Sequence, residues 1–448
     1  MRIPTAHGRA AQLQQAEIRG RRGGARDPSG YDVHMKTVSK LAFALCACAS
    51  MTMKAQDAVD APERWSFAAF GTGSLVHSDE DQADFGHTQL MSRGAGYSDP
   101  WALNVDTRLG GQVTVNATSS LSAVVQVVAE HRYDDSFRPH VEWANLRYDI
   151  GPDLSVRAGR TALPIFLFTE SRRVGFALPW VRTPLEVYEL VPVTSNDGVD
   201  VTWRRRIGEG TNTMQVALGQ SASRFIQDGA TREVTTRDQF VIADTYELGN
   251  LSLRANYGQA RVTMDVYRPL FEGFRQFAFL GGDAIADRYE LEGRLGRYMG
   301  VSVSYQPGTG FVIGELGRLE THAVLGNRTG GYLSAGRRFG NVTPYVTWGA
   351  VRLTTPSSDP GLPVPPALTA SPLPLLNAAL NVALNASPRQ STATVGVRWD
   401  VARNTALKLQ FDRMDLGANS SGTLTYLQPG FVPGGVVHLV SASVDFVL

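Results

Sequence analysis

From Val440 to the end of the chain every second residue is apolar: Val440, Ala442, Val444, Phe446 and Leu448, with Ser441, Ser443 and Asp445 among the residues between them. A period of two puts the two sets on opposite faces of a strand. The segment therefore reads as a strand with one oily and one wet face. The same alternation recurs at 103–109, 112–116, 154–158, 198–204, 394–401 and 407–412. Turn signals separate these runs near 117–120, 151–153, 207–210, 249–250, 307–310, 340–341 and 402–405. They alternate with long connections at about 78–100, 162–196, 222–237, 264–287, 354–389 and 416–435. The count is about sixteen strands when 288–306 is taken as one. Short turns at one end, long loops at the other and a terminal strand with an apolar face predict an all-β fold, a transmembrane antiparallel β-barrel. Its last strand is expected to pair with the first, around 65–77, because an open edge in lipid leaves backbone groups without partners.

The same alternation assigns charges to the inner face. It turns Arg108, Arg157, Arg204, Arg398 and Lys408 toward the lumen, with Arg132 and Arg147 as further candidates. One connection, 161–196, does not suit an exposed loop. It holds an apolar stretch, Leu163 to Phe168, four prolines (Pro164, Pro179, Pro184, Pro192) and the charges Glu170, Arg172, Arg173, Arg182, Glu186 and Glu189. The prolines resist helix and strand alike, and the apolar residues need a surface to pack on. The segment is expected to fold inward, with its charges projecting into the water path. A second connection, 354–389, is proline-rich and then places Leu376, Leu380, Leu384 and Asn377, Asn381, Asn385 four apart. That spacing predicts an amphipathic helix, either packed over the barrel rim or in contact with a neighbouring subunit.

The N-terminal region changes what counts as the working chain. Met35 opens a positively charged segment (Lys36, Lys40) followed by a short apolar run, 41–49, too short to span a bilayer. This predicts a signal peptide over 35–55, cut after Ala49 or Ala55. Residues 1–34, polar and rich in Arg and Gly, read as an extension upstream of the true start. Residues 56–448 form one barrel domain. The Arg21-Arg22 pair sits too far from the apolar run for a twin-arginine signal. Lipid attachment at Cys48 is the rival reading of the leader. Both cysteines, Cys46 and Cys48, fall inside it, so the domain itself has no thiol chemistry. Residues 1–55 carry nine Lys/Arg and three Asp/Glu, which leaves 34 basic and 39 acidic residues in the remainder. That balance argues against nucleic acid as a partner. No run of about eighteen apolar residues occurs, so no transmembrane helix is expected. The histidines of the domain, His77, His87, His131, His140, His322 and His438, sit in no nucleophile or metal motif. No cofactor, metal site or catalytic residue is expected, and the chain is not read as an enzyme.

Three stretches carry a family resemblance: 157–160 through 184–188, 396–400 through 406–410, and the ending 443–448. They resemble the Gram-negative outer-membrane porin superfamily, and the likeness extends over essentially all of 64–448. The ending departs from the usual terminal Phe, with Leu448 last and Phe446 two residues earlier. The resemblance implies a homotrimeric, sixteen-stranded water-filled channel in the outer membrane, surrounded by lipid and lipopolysaccharide and passing small hydrophilic solutes and ions. It also implies that 161–196 is the third outer loop and forms the constriction. Acids Glu170, Glu186 and Glu189 would face arginines Arg172, Arg173 and Arg182 and the wall cations, setting up a transverse field. A channel selective for anions, carboxylates or sugars is the alternative, and behind it an outer-membrane β-barrel enzyme.

Overall fold

The computed structural model describes residues 64–227 and 229–448. The expectations for 1–34, for the signal peptide 35–55 and for its cleavage lie outside the described residues. Sixteen long strands follow one another in chain order. They are β1 (Trp65–Ser78), β2 (Arg108–Asn116), β3 (Leu121–Glu130), β4 (His140–Ile150), β5 (Leu154–Ala162), β6 (Ser195–Ile207), β7 (Gly210–Gln227) and β8 (Ala230–Leu248). Then come β9 (Leu251–Met264), β10 (Arg294–Tyr305), β11 (Gly310–Glu320), β12 (Arg328–Arg337), β13 (Val342–Leu353), β14 (Gln390–Ala402), β15 (Thr405–Leu416) and β16 (Gly435–Val447). Each pairs antiparallel with its successor, and β1 pairs with β16 from Phe70↔Val447 to Ser78↔Leu439, so the sheet closes on itself. A two-residue strand, Trp101–Ala102, adds to the edge of β1. No helix among the described residues is long and apolar enough to cross a membrane.

The alternation read from the sequence becomes two faces. On β16, Val440 and Val444 are exposed, as is Leu448 just after it, while Ser441, Ser443 and Asp445 are buried. The outer face carries Leu253, Val301, Leu316, Leu333, Val346, Trp348, Val395 and Leu409, all exposed. A contiguous apolar belt of this kind would drive aggregation in water; lipid is the solvent it suits. Close packing at the closing seam relies on a glycine. Gly71 lies beneath the Phe446 ring, where a Cβ would come within 2.5 Å of it.

Two connections differ from expectation. The segment 222–237 is not a loop: β7 and β8 run on through it and pair to Gln227↔Ala230. Polar side chains on both faces hid the strands, because they stand beyond the region where one face must be apolar. The strands are 18 and 19 residues long, against roughly ten for a bilayer crossing. Conversely, 103–107 alternates but is not a strand. The Thr107 hydroxyl donates to the Leu103 carbonyl and bends the chain.

Four helical segments of four residues or more occur in the long connections. The first, α1 (Leu185–Tyr188), is a single turn between β5 and β6; α2 (Arg268–Arg275), α3 (Gly282–Tyr289) and α4 (Leu373–Asn385) form a cap at the loop end. Phe271, Phe274, Ile285, Leu291, Leu362, Leu373, Leu380 and Leu384 make its apolar core. The asparagines spaced four apart have a specific task. Asn377 accepts from the Leu362 amide and donates to its carbonyl, Asn381 does the same to Asp359, and Asn385 donates to Ser357. They zip the proline-rich segment onto α4 where the prolines leave it short of backbone partners. Asn381→Ala should free both Asp359 backbone groups, a loss of about 1–3 kcal/mol. Faster amide exchange around 357–362, with the barrel strands unchanged, is the expected readout.

Candidate functional site: the loop between the fifth and sixth strands

Residues 163–194 connect β5 to β6. Ile165, Phe166, Leu178, Trp180, Val187, Tyr188 and Leu190 pack with Ala217 and Val241 of β7 and β8 and with Tyr298, Phe311, Ile313, Tyr332, Tyr345 and Val351 of β10 to β13. These strand residues alternate with the exposed apolar belt, so the loop lies against the inner face. Several of its buried polar atoms are matched, although Arg172 Nη1 and Glu189 Oε1 lack a hydrogen-bond partner. Trp180 Nε1 donates to Ser334 Oγ at 2.8 Å and Thr347 Oγ1 at 3.0 Å. Glu315 accepts from Tyr188 Oη (2.7 Å), Tyr332 Oη (2.8 Å), Ser302 Oγ (3.1 Å) and the Leu167 amide (2.9 Å). The turn α1 sinks into the wall because Gly330 and Gly349 have no side chains. A Cβ there would lie 1.9 Å from the Glu186 carbonyl and 2.8 Å from its Oε2.

The loop thus fills one side of the interior and leaves the side near β2 to β5 open. The open cavity is lined by Arg108, Arg132, Arg172, Arg173 and Arg182, with Glu130, Glu142, His87 and His140. Arg173 bridges two wall acids, meeting Glu130 at short range and Glu142 Oε1 at 2.9 Å. Burial opposes its charge, but these two carboxylates outweigh that and raise its pKa. Arg182 is fixed to Asp106 at 2.7 Å and Asp412 at 3.3 Å. Arg172 lies over the Tyr188 ring at 5.4 Å. Burial and the adjacent Arg173 push its pKa down. Arg132 and Arg172 make no ion pair among the described residues. Burial lowers His87 to about 4, so it is neutral near pH 7 and adds no charge to this lining.

No family model matches the chain, and no curated protein matches it. Solved structures do. An outer-membrane channel of Acinetobacter baumannii, DcaP, superposes with a TM-score of 0.52 at 10% identity, over 85% of this chain and 97% of that one. The anion-selective porin from Comamonas acidovorans gives 0.49 at 13%, over 86% and 100%. OmpF of Salmonella typhi, in complex with daunomycin, gives 0.49 at 10%, over 86% and 97%. The chain shares the fold of the DcaP outer-membrane channel.

Within this barrel the charges pair differently from the expected eyelet. Arg173 and Arg182 do not face Glu170 and Glu186; they hold the wall acids Glu130, Glu142 and Asp412, and Asp106 just before β2. Glu170 instead meets Arg157 at 3.2 Å, which also grips Asp200 at 2.9 Å. Glu186 and Glu189 are buried and bond neutral partners: Gln390 and Thr392 for the first, Thr88 and the Gln89 amide for the second. Burial raises both pKa values. The reason is that α1 is pressed into the wall, so its acids leave the water path. Among the wall cations, Arg108 reaches the Arg172 carbonyl at 3.5 Å, and Arg204 is exposed and shares the register side of Asp200. Arg398 and Lys408 bind loop carbonyls rather than facing open solvent. The wall acids were missed although the pattern held them. Asp412 has the parity of Lys408, and Glu130 pairs across from Arg108.

Proposed function

We propose that the protein is a porin of the Gram-negative outer membrane, a water-filled passage for diffusion of small hydrophilic solutes and ions. The observation that carries this reading is a closed barrel with an apolar exterior whose interior is narrowed, but not filled, by an inward-packed loop. Lipid and lipopolysaccharide surround the belt, and three copies assemble side by side. Purified protein in a planar bilayer should give stepwise, ohmic conductance. Folded, heat-modifiable protein that inserts without conducting would overturn the reading.

One feature favours a preference for anions. Arg132 and Arg172 flank the cavity without ion pairs, while Glu130 and Glu142 are already engaged by Arg173. A fixed excess of positive charge along a narrow path concentrates anions and repels cations. In a KCl gradient the reversal potential should lie on the chloride side. A potassium-side value would leave the passage but remove the preference.

A further inference from the structure

The segment 175–180 of the loop is held by two cations from neighbouring strands, paired across the β14–β15 ladder as Arg398↔Lys408. Lys408 Nζ donates to the carbonyls of Gly175 and Trp180, each at 2.7 Å, and lies 3.0 Å from Asp445 Oδ2. Arg398 Nη1 donates to the carbonyls of Phe176, at 2.7 Å, and Leu178, at 2.9 Å. Four carbonyls of a stretch that holds one 3-10 turn, Gly175–Ala177, and then Pro179 thereby gain side-chain donors, the Gly175 carbonyl in addition to the Leu178 amide, as buried carbonyls require. The seat reaches across the seam where the barrel closes. Thr72 of β1 donates to Asp445 Oδ1 of β16 at 2.6 Å, and the two residues are register partners. Gly175 rests directly on this pair: a Cβ there would stand 2.1 Å from Asp445 Oδ1 and 2.5 Å from Thr72 Oγ1.

We infer that Lys408, with Asp445 and Thr72, is a latch that seats the loop on the closing seam, so that the width of the passage depends on barrel closure. Lys408 is a positioning residue: it fixes the backbone that carries Arg172, Arg173 and Arg182 on either side of the latch. Asp445 orients the ammonium group, and Thr72 orients Asp445. The seat is incomplete until β1 meets β16, so the loop docks as the barrel closes or afterwards. The consequence for ion flow rests on the porin reading; the docking itself does not.

The test uses the full-length protein with a reporter thiol at a buried loop position, Leu178→Cys, since no cysteine occurs after Cys48. Leu178 is 1% exposed, so its replacement should react slowly with a small water-soluble methanethiosulfonate while the loop is seated. Lys408→Met removes the latch donor. Gly175→Ala pushes the loop off the seam with no change of charge. Both should raise the labelling rate at position 178, read by peptide mass, at least tenfold. Both should also raise single-channel conductance and add closing events, while heat-modifiability persists. Labelling and conductance equal to the parent in both variants overturn the latch. If Lys408→Met fails to fold, Gly175→Ala alone decides by the same criteria. If the parent does not conduct, the porin reading falls, and labelling still decides the latch.

Discussion

Replacing Arg172 and Arg173 by alanine shifts the reversal potential in a salt gradient toward the cation side. The two substitutions act differently. Arg172 has no ion-pair partner among the described residues, so its loss removes one fixed positive charge beside the cavity. Arg173 holds Glu130 and Glu142. Its loss leaves two carboxylates facing the water path unneutralised and releases a tether of the loop. At about 8 Å, in a medium as polar as water, one unit charge changes an ion's energy by about 0.5 kcal/mol. The sign is opposite for potassium and chloride, so the permeability ratio should move about fivefold per charge removed. Screening shrinks this, with a Debye length of about 10 Å at 0.1 M salt and about 3 Å at 1 M. The shift should therefore be large in dilute KCl and faint at 1 M. The Arg173→Ala single variant should also show noisier openings than Arg172→Ala. Reversal potentials that match the parent in dilute salt would mean these arginines lie off the ion path.

Deleting 444–448 should abolish insertion altogether. These residues pair on both sides, with Phe70 to Gly73 of β1 and with Thr405 to Leu407 of β15. The Leu448 amide and carbonyl exchange hydrogen bonds with Ala69 at 2.8 and 3.1 Å. Each backbone group exposed to hydrocarbon costs several kcal/mol, and the truncation would strip a row of them. It would also remove Asp445, the counter-ion of a lysine that is 1% exposed. Outer-membrane fractions should lack the heat-modifiable band. A truncated protein that still folds and resists detergent would show that closure does not need this segment.

The barrel was legible because lipid on one side and water on the other impose a strict period of two. The short turns were legible too, and each of the seven lies at a junction between consecutive strands. Where the constraint lapses, so does the signal. The ends of β7 and β8 extend past the lipid and carry polar residues on both faces, so they read as loop. The site was legible in outline only. Ile165 and Phe166 marked a segment that must pack, and the inward parity of Lys408 and Arg398 was readable. The partners were not, because pairing depends on which strands an irregular, proline-broken segment crosses. Glu186 looked like a lumen charge until Gly330 and Gly349 gave α1 a recess to occupy. Nothing in the spacing of those two glycines names the residue that fills the gap.

The scarcity of lysine has a practical corollary. Beyond Lys54 the chain has a single side-chain amine, that of Lys408, and it is sealed between the loop and the seam. The folded barrel should therefore be almost inert to amine-directed dyes and cross-linkers, its N-terminal region aside. Once the seam parts, one amine becomes reactive. The molecule carries its own single-site reporter of opening, readable by mass without any engineered tag.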